Sequence, residues 1–244
     1  MRRLLLSLAA VSLVAGFLAA PSASAQQSVN FFLGGFVPTP TDARGDVSGG
    51  RSNDVLVGDF NFLTYRFDSF KGATVGGEYL VGLGDFFEAG AGIGFYQHTV
   101  PASDTKFVNS TGGNVVADLK LRIVPFTATF RALPLGHHDG FEPYIGGGIG
   151  VFGWRYSESG QFVDPLDRAC GGKPCVFNGT FVGTGSATGP VVLGGVRFPI
   201  GRAVPGFEIR WHSAKGDLPT NQDFAGTKID LGGMNYLFTF AIRF

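Results

Sequence analysis

The last nine residues of the chain constrain its fold most strongly. From Tyr236 to Phe244 every second residue is large and apolar, and Thr239 and Arg243 are among the residues between them. Successive side chains of a β-strand point to opposite faces, so this segment predicts a strand with one aromatic face and one mixed face. The apolar face consists of Tyr236, Phe238, Phe240, Ile242 and Phe244. Such a strand suits a wall between lipid and a polar interior, which indicates a transmembrane β-barrel.

The first 25 residues have the organisation of a secretory signal peptide. Arg2 and Arg3 precede an apolar run from Leu4 to Ala20, and Ala23-Ser24-Ala25 supplies a small-residue cleavage site. We therefore expect a cleaved signal peptide at residues 1–25 and a single barrel domain at residues 26–244. Removal of the peptide leaves 17 basic and 19 acidic residues, a balance that does not suggest a nucleic-acid partner.

The composition beyond the signal peptide also favours strands. No apolar run there approaches the roughly 20 residues that a spanning helix needs, so a membrane crossing must use strands. The chain contains 25 Phe and 39 Gly. Glycine weakens the sheets of soluble proteins, but small residues fit the crowded interior of a narrow barrel.

Eight segments show the alternation of strands. Long and short connections alternate along the chain, and the first and last connections are long. The first long connection is polar and extends to about residue 71. Outer-membrane barrels have long extracellular loops, short periplasmic turns and an even strand number. The sequence therefore predicts an all-β fold, an eight-stranded antiparallel up-and-down transmembrane β-barrel, whose last strand pairs with the first to remove the edge. The predicted strands are 28–37, 73–81, 87–98, 115–131, 141–156, 189–198, 207–212 and 229–244.

Two strands carry further predictions. In the fourth, Lys120 and Arg122 share one face, and the alternation of apolar residues changes phase beyond Pro125, which predicts a β-bulge there. In the fifth, aromatic residues stand at both ends, as expected for girdles at two membrane interfaces. These aromatic residues are Tyr144 at one end and Phe152, Trp154 and Tyr156 at the other. Two connections, 101–113 and 157–187, are expected to be long polar loops.

If the aromatic faces meet lipid, the opposite faces place charged residues inside the barrel. An eight-stranded barrel is only wide enough for side chains to fill it, so these charges must pair. We expect a structural salt-bridge core with ordered water. The alternative is a polar path for a solute, which an excess of positive charge would make favourable to anions. The predicted interior charges are Glu78, Glu88, Lys120, Arg122, Arg131, Arg155, Arg197, Glu208, Arg210 and Arg243.

The two cysteines of the chain are Cys170 and Cys175. In an exported protein a disulfide is expected between them, and closing so short a loop contributes roughly 2 kcal/mol in the chain-entropy model. The loop contains no histidine, so we expect no metal site. The sequence likewise predicts no cofactor and no catalytic residue.

The signal peptide, the alternation of loop lengths and the Phe-terminated last strand together resemble the small outer-membrane β-barrel superfamily of Gram-negative bacteria (OmpA-, OmpX- and OmpW-like). Residues 89–94 and 143–151 resemble its glycine-rich strands, and residues 236–244 resemble its C-terminal sorting strand. The resemblance implies an outer-membrane location, contact with outer-membrane lipid and lipopolysaccharide, recognition by the assembly machinery through the last strand, and a monomer. The peptidoglycan-binding domain that some members carry after the barrel is absent from the sequence.

The roles implied by this resemblance range from envelope integrity and adhesion to passage of small hydrophobic molecules. The leading hypothesis is a non-enzymatic structural or surface-interaction role with the loops as contact surface, and the alternative is a narrow passive channel for small or hydrophobic solutes. A third hypothesis is a lipid A acyl hydrolase using His212 and Ser213. Adjacent strand residues point to opposite faces, and the His-x-Ser spacing of such deacylases is missing, which argues against it. His98, His137 and His138 are expected to be solvated.

Overall fold

The computed structural model describes residues 26–44, 47–48, 51–108, 112–137, 140–164, 175–222 and 224–244. These residues form eight long antiparallel strands that close into one barrel. The strands are β1 (Gln27–Pro38), β2 (Gly72–Gly82), β3 (Phe87–Val108), β4 (Asn114–Ala132), β5 (Glu142–Asp164), β6 (Cys175–Arg197), β7 (Ala203–His212) and β8 (Gly233–Arg243).

The barrel has an up-and-down topology, because strands consecutive in the chain are neighbours in the wall. It closes where β1 pairs with β8, from Ser28 opposite Arg243 to Pro38 opposite Gly233. The predicted fold class and the predicted pairing of the first and last strands are both confirmed. Closure leaves no exposed strand edge in this wall.

The two ends of the barrel differ, and we call them the turn half and the loop half. The turn half extends from the short connections 83–86, 133–141 and 198–202 to about Pro125, and the loop half lies beyond it. In the turn half the outward residues form an apolar belt, and they include Phe31, Leu33, Val75, Ile93, Phe126, Phe130, Ile145, Ile149, Phe207, Ile209, Phe238 and Phe240. The interior of the barrel is crowded, as the glycine content predicted. A Cβ on Gly195 would lie 2.6 Å from the hydroxyl oxygen of Tyr144, so glycine makes room for this ring.

Strands of the loop half extend far beyond their predicted ends. β3 continues to Val108, β5 continues to Asp164, and β6 begins at Cys175. The predicted loops 101–113 and 157–187 are therefore wrong, because most of each is strand. Many residues of these strand extensions are polar because their outer face lies above the apolar belt. Polar composition alone does not distinguish a solvated strand from a loop.

Pro125 does not produce the predicted bulge. β3 and β4 keep one register across it, with Ile93 opposite Phe126 and Tyr96 opposite Ile123, although no pairing joins the strands between these positions. Proline lacks an N–H group, so it cannot donate a ladder hydrogen bond. Inward residues have odd numbers throughout β4, so the predicted change of phase is wrong. The inward residues change at Pro125 from apolar to polar, and the outward residues change from mostly polar to apolar.

The first long connection folds into the mouth of the barrel. It contains the short helix α1 (Val55–Gly58) and the 3₁₀ turns Asp59–Asn61 and Phe67–Phe70. Its buried residues join one hydrophobic core with the inward residues of the loop half, and this core includes Val55, Leu56, Leu63, Phe70, Val100, Leu119, Leu121, Phe152, Trp154 and Tyr156. The connection between β7 and β8 contains a small two-stranded sheet, Lys215–Asp217 with Lys228–Asp230, and adds to this core Ile229 from the sheet and Leu218 from beside it. In the described part of the chain, no helix is long and apolar enough to span a membrane.

Candidate functional site: a charge-paired barrel interior

One ionic cluster lies in the middle of the turn half. Arg131 contacts Glu78, and its guanidinium lies 3.0 Å from Glu208. Arg210 lies 2.6 Å from Glu208 and 3.3 Å from Glu78, so two arginines share two carboxylates. The Tyr144 hydroxyl donates to Glu208 at 2.9 Å. Each charge is compensated by opposite charge at contact distance, which a buried ionic group requires.

A second ionic cluster lies nearer the short turns. Arg197 donates to both carboxylate oxygens of Glu88, at 2.7 and 3.0 Å, in the two-pronged geometry that guanidinium favours. Arg243 pairs with Glu142. The ring nitrogens of His137 lie 3.7 Å from Glu88 and from Glu142, so this residue is largely buried between two carboxylates and not solvated as predicted.

The ring of Tyr144 links the two clusters. The guanidinium carbons of Arg131 and Arg197 lie 5.0 and 4.7 Å from the centre of this ring, within the range of cation–π attraction. Tyr144 is therefore an interior residue and not part of a lipid-facing girdle. Phe152, Trp154 and Tyr156 are also buried inside, so the predicted girdles of β5 are wrong. The outward residues of β5 in the turn half instead include Ile145, Ile149 and Val151.

Three predicted interior charges lie on the outside of the barrel. Lys120 and Arg122 on β4 and Arg155 on β5 are exposed, whereas Leu119, Leu121 and Ile123 are buried inside. The prediction failed because it assumed that apolar residues face lipid along the whole strand. In the loop half the interior is an apolar core, so the polar side chains point outward to water.

The interior also contains a carboxylate that the sequence analysis missed. Glu142 is fully buried at the start of β5, two positions before Tyr144 on the same face. This spacing would have placed it inside if Tyr144 had been read as an inward residue. The other predicted interior charges, Glu78, Glu88, Arg131, Arg197, Glu208, Arg210 and Arg243, are buried inside the barrel. Among the residues that the structure describes, these clusters thus hold four arginines and four glutamates, and the expected excess of positive charge is absent.

A layer of aromatic rings separates the ionic clusters from the apolar core above. The ring of His212 stacks between Phe36 and Phe152, with ring centres 5.5 and 4.6 Å away. Its Nε2 lies 3.0 Å from the carbonyl oxygen of Leu231 and its Nδ1 lies 3.3 Å from the amide nitrogen of Asn235. These contacts give His212 a packing role, and none of them involves the hydroxyl of Ser213. The space in this layer is about 30 Å³, room for one or two water molecules.

The first connection is anchored to the barrel mouth by a buried ion pair. Arg44 lies 3.2 Å from Asp54, and its guanidinium donates to the carbonyl oxygen of Asp230 at 2.6 Å. Asp54 also accepts hydrogen bonds from the backbone N–H groups of Leu56 at 3.0 Å and Asp230 at 2.6 Å. Asp54 is therefore the N-cap of α1 and the link between the first and last long connections.

Two carboxyl groups, Asp59 of the first connection and Glu158 of β5, interact where the connection meets the barrel wall. Asp59 accepts a hydrogen bond of 2.8 Å from the Tyr156 hydroxyl. Burial, and then the nearby charge of Glu158, raises the pKa of Asp59 well above its usual range. Burial raises the pKa of Glu158 to about 7, and its Oε1 has no hydrogen-bond partner. Among the described residues, no group of three or more His, Cys, Asp or Glu side chains could hold a metal ion.

Several predicted features lie outside the described residues. They include the signal peptide at residues 1–25, His138 and Cys170, so the Cys170–Cys175 disulfide stays a prediction. His98 lies on the inner face of β3 and is partly buried, so it is less solvated than predicted. Tyr236, Phe238, Phe240, Ile242 and Phe244 all point outward, and their use as a sorting strand stays a prediction.

Comparison with known proteins finds similar solved structures. No model of a known protein family matches the sequence, and no curated protein matches it. One similar solved structure is the outer membrane protein OprG from Pseudomonas aeruginosa, with 12% identity, a TM-score of 0.49 and coverage of 90% of this chain and 96% of that one. Another is Ail, the attachment invasion locus protein of Yersinia pestis, in complex with the heparin analogue sucrose octasulfate, with 12% identity, a TM-score of 0.39 and coverage of 90% and 99%.

Proposed function

We propose that this chain is a non-enzymatic integral outer-membrane β-barrel protein that acts through its extracellular surface. An apolar outer belt around a polar interior is typical of a barrel wall that faces lipid. A soluble barrel has the reverse arrangement, with polar residues outside and apolar residues inside. The observation that carries the surface role is the filled interior. Paired charges occupy the turn half, aromatic rings the middle, and the first connection the mouth.

A filled interior favours this role over the channel hypothesis. A solute moving along the axis would have to displace Arg131 and Arg197 from their carboxylates and the first connection from its core. Breaking a buried ion pair typically costs about 3–5 kcal/mol, so such a path would open rarely. Purified protein in a planar bilayer should therefore be electrically silent, and a reproducible single-channel conductance would favour the channel hypothesis instead.

The extensions of β5 and β6 contribute to the proposed extracellular surface. These strands stay paired from Arg155 opposite Thr184 to Asp164 opposite Cys175. Near the tip, the rings of Phe162 and Phe181 meet edge to face at 4.9 Å, and Phe177 remains exposed. A paired strand extension with an exposed aromatic ring, Phe177, is a suitable contact surface, because aromatic residues are enriched at protein interfaces.

A labelling scan along β4 tests the membrane placement. Single cysteines replace outward residues in a background lacking Cys170 and Cys175. A water-soluble maleimide should label positions 120 and 122 of protein in vesicles, and a lipid-phase reagent should label positions 126 and 130. Inward position 121 should react with neither reagent. Equal aqueous labelling at 122 and 126, or identical gel migration of heated and unheated protein, would contradict the proposal.

A further inference from the structure

Three cations stand together on the outer wall of the barrel. Arg122 on β4 and Arg155 on β5 lie directly opposite each other, and Lys120 is the next outward residue on β4. All three are exposed. Their other cross-strand neighbours are neutral, since Gln97 lies opposite Arg122 and Thr184 opposite Arg155.

These cations have no ionic partner within the part of the chain that the structure describes. By contrast, exposed Lys71 lies 2.6 Å from Asp68 and exposed Lys228 lies 2.7 Å from Asp217. Like charges directly opposite each other destabilise a sheet. The next outward acidic residue on β4 is Asp118, which lies beyond Lys120, on the side away from Arg122. An external anion would therefore relieve the repulsion between the two arginines.

The position along the strand identifies the kind of anion. Arg122 is about ten residues from Ala132, where β4 meets its short turn. At a rise of ~3.3 Å per residue and a tilt of ~40°, ten residues advance ~25 Å, which is the height of the apolar belt of such barrels. The outward residues over this distance are Val124, Phe126, Ala128 and Phe130. The cations therefore begin where the belt ends, at the level of lipid headgroups.

We propose that Arg122, Arg155 and Lys120 bind a phosphate group of lipopolysaccharide lipid A in the outer leaflet. This inference rests on the proposed outer-membrane placement. Two adjacent guanidinium groups suit the bidentate recognition of phosphate, and Lys120 adds a point charge. Below them, beyond Val124 and Gly153, Phe126 lies opposite Val151 and presents an apolar surface. A phosphate above and acyl chains below match one amphiphilic ligand.

The test measures lipid binding to the refolded mature chain in detergent by native mass spectrometry. The probes are diphosphorylated lipid A and the same lipid without phosphate. Arg122→Gln/Arg155→Gln should weaken binding of the diphosphorylated lipid by on the order of tenfold or more, since two charge-assisted contacts are lost. Arg122→Lys/Arg155→Lys keeps both charges and should show an intermediate loss. The matched control Lys71→Gln/Lys215→Gln also removes two exposed cations and should bind as the wild type does.

Three results would overturn the inference. One is equal binding by the glutamine variant and the control, and another is equal affinity of the wild type for the lipid with and without phosphate. Inorganic phosphate binding as tightly as lipid A would likewise refute a lipid site. Heat-dependent gel migration verifies that each variant is folded. Failure of the wild type to insert into vesicles would contradict the proposed function, a result distinct from all of these.

Discussion

The turn half and the loop half of one barrel solve the same packing problem with opposite chemistry. Along β4, Arg131 and Thr129 face inward in the turn half while Phe130 and Phe126 face outward. In the loop half Leu121 and Leu119 face inward while Arg122 and Lys120 face outward. The strand keeps one phase throughout. The solvent on the outer face thus decides which residue type occupies each side of the wall.

The comparison also explains how each half is stabilised. Lipid contributes no hydrophobic driving force toward the interior of the turn half, so specific ion pairs and hydrogen bonds fill that interior. Water surrounds the loop half, so burial of apolar side chains can stabilise it as it does a soluble domain. The first connection supplies part of this buried surface through Val55, Leu56 and Phe70.

The largest effect is expected from removing one charge in the turn half. Arg131→Leu leaves Glu78 and Glu208 with one shared arginine fewer, and should lower the free energy of unfolding by about 3–5 kcal/mol. Arg122→Leu on the same strand is exposed and should change it by less than ~1 kcal/mol. Urea unfolding in phospholipid vesicles free of lipopolysaccharide measures both. Equal losses would show that the two halves do not differ in this way.

A smaller loss is expected from truncating the core of the loop half. Leu121→Ala removes a buried side chain shared by β4 and the core around the first connection, and should cost about 2–5 kcal/mol. Val116→Ala, on the outer face of the same strand, should stay within ~0.5 kcal/mol. The same unfolding measurement checks both variants. Equal costs would contradict the assignment of inward and outward faces in the loop half.

The smallest effect is expected from pH. Because the folded-state pKa of Glu158 is raised to about 7, the folded state favours its proton, and docking of the first connection should weaken as pH rises through about 7. We expect a change of ~1–2 kcal/mol between pH 5.5 and 8.5. Fluorescence of Trp154 in a Trp211→Phe background reports hydration of the core. Glu158→Gln should reduce the pH dependence, and the buried Asp59 carboxyl should account for the remainder. An unchanged pH profile in that variant would exclude Glu158 as a source.

Period-2 alternation and the positions of the turns were sufficient to predict the architecture, although two of the predicted long loops are mostly strand. The strand count, the topology and the pairing of β1 with β8 follow from period-2 patterns that local sequence carries. The predictions failed where the pattern is symmetric. On β4 the alternation places Lys120 and Leu121 on opposite faces, but it does not show which of the two faces points into the barrel. No local sequence feature identifies the face that contacts water.

Some interior residues could have been found and others could not. Glu142 shares a face with Tyr144, so a correct orientation of β5 would have placed it inside. Arg44 and Asp54 are ten residues apart in a polar connection, and their pairing depends on Asp230 at the other end of the chain. Contacts between residues so distant in sequence leave no local pattern.

The sequence by itself determined that this protein is an eight-stranded barrel closed by its last strand, because strand alternation and turn spacing are local properties of the chain. Only the tertiary structure decided which charges pair inside, that the first connection fills the mouth, and that Lys120, Arg122 and Arg155 stand on the outer wall. Those outcomes depend on whether lipid, water or protein covers each face, and that is settled only when all eight strands are assembled.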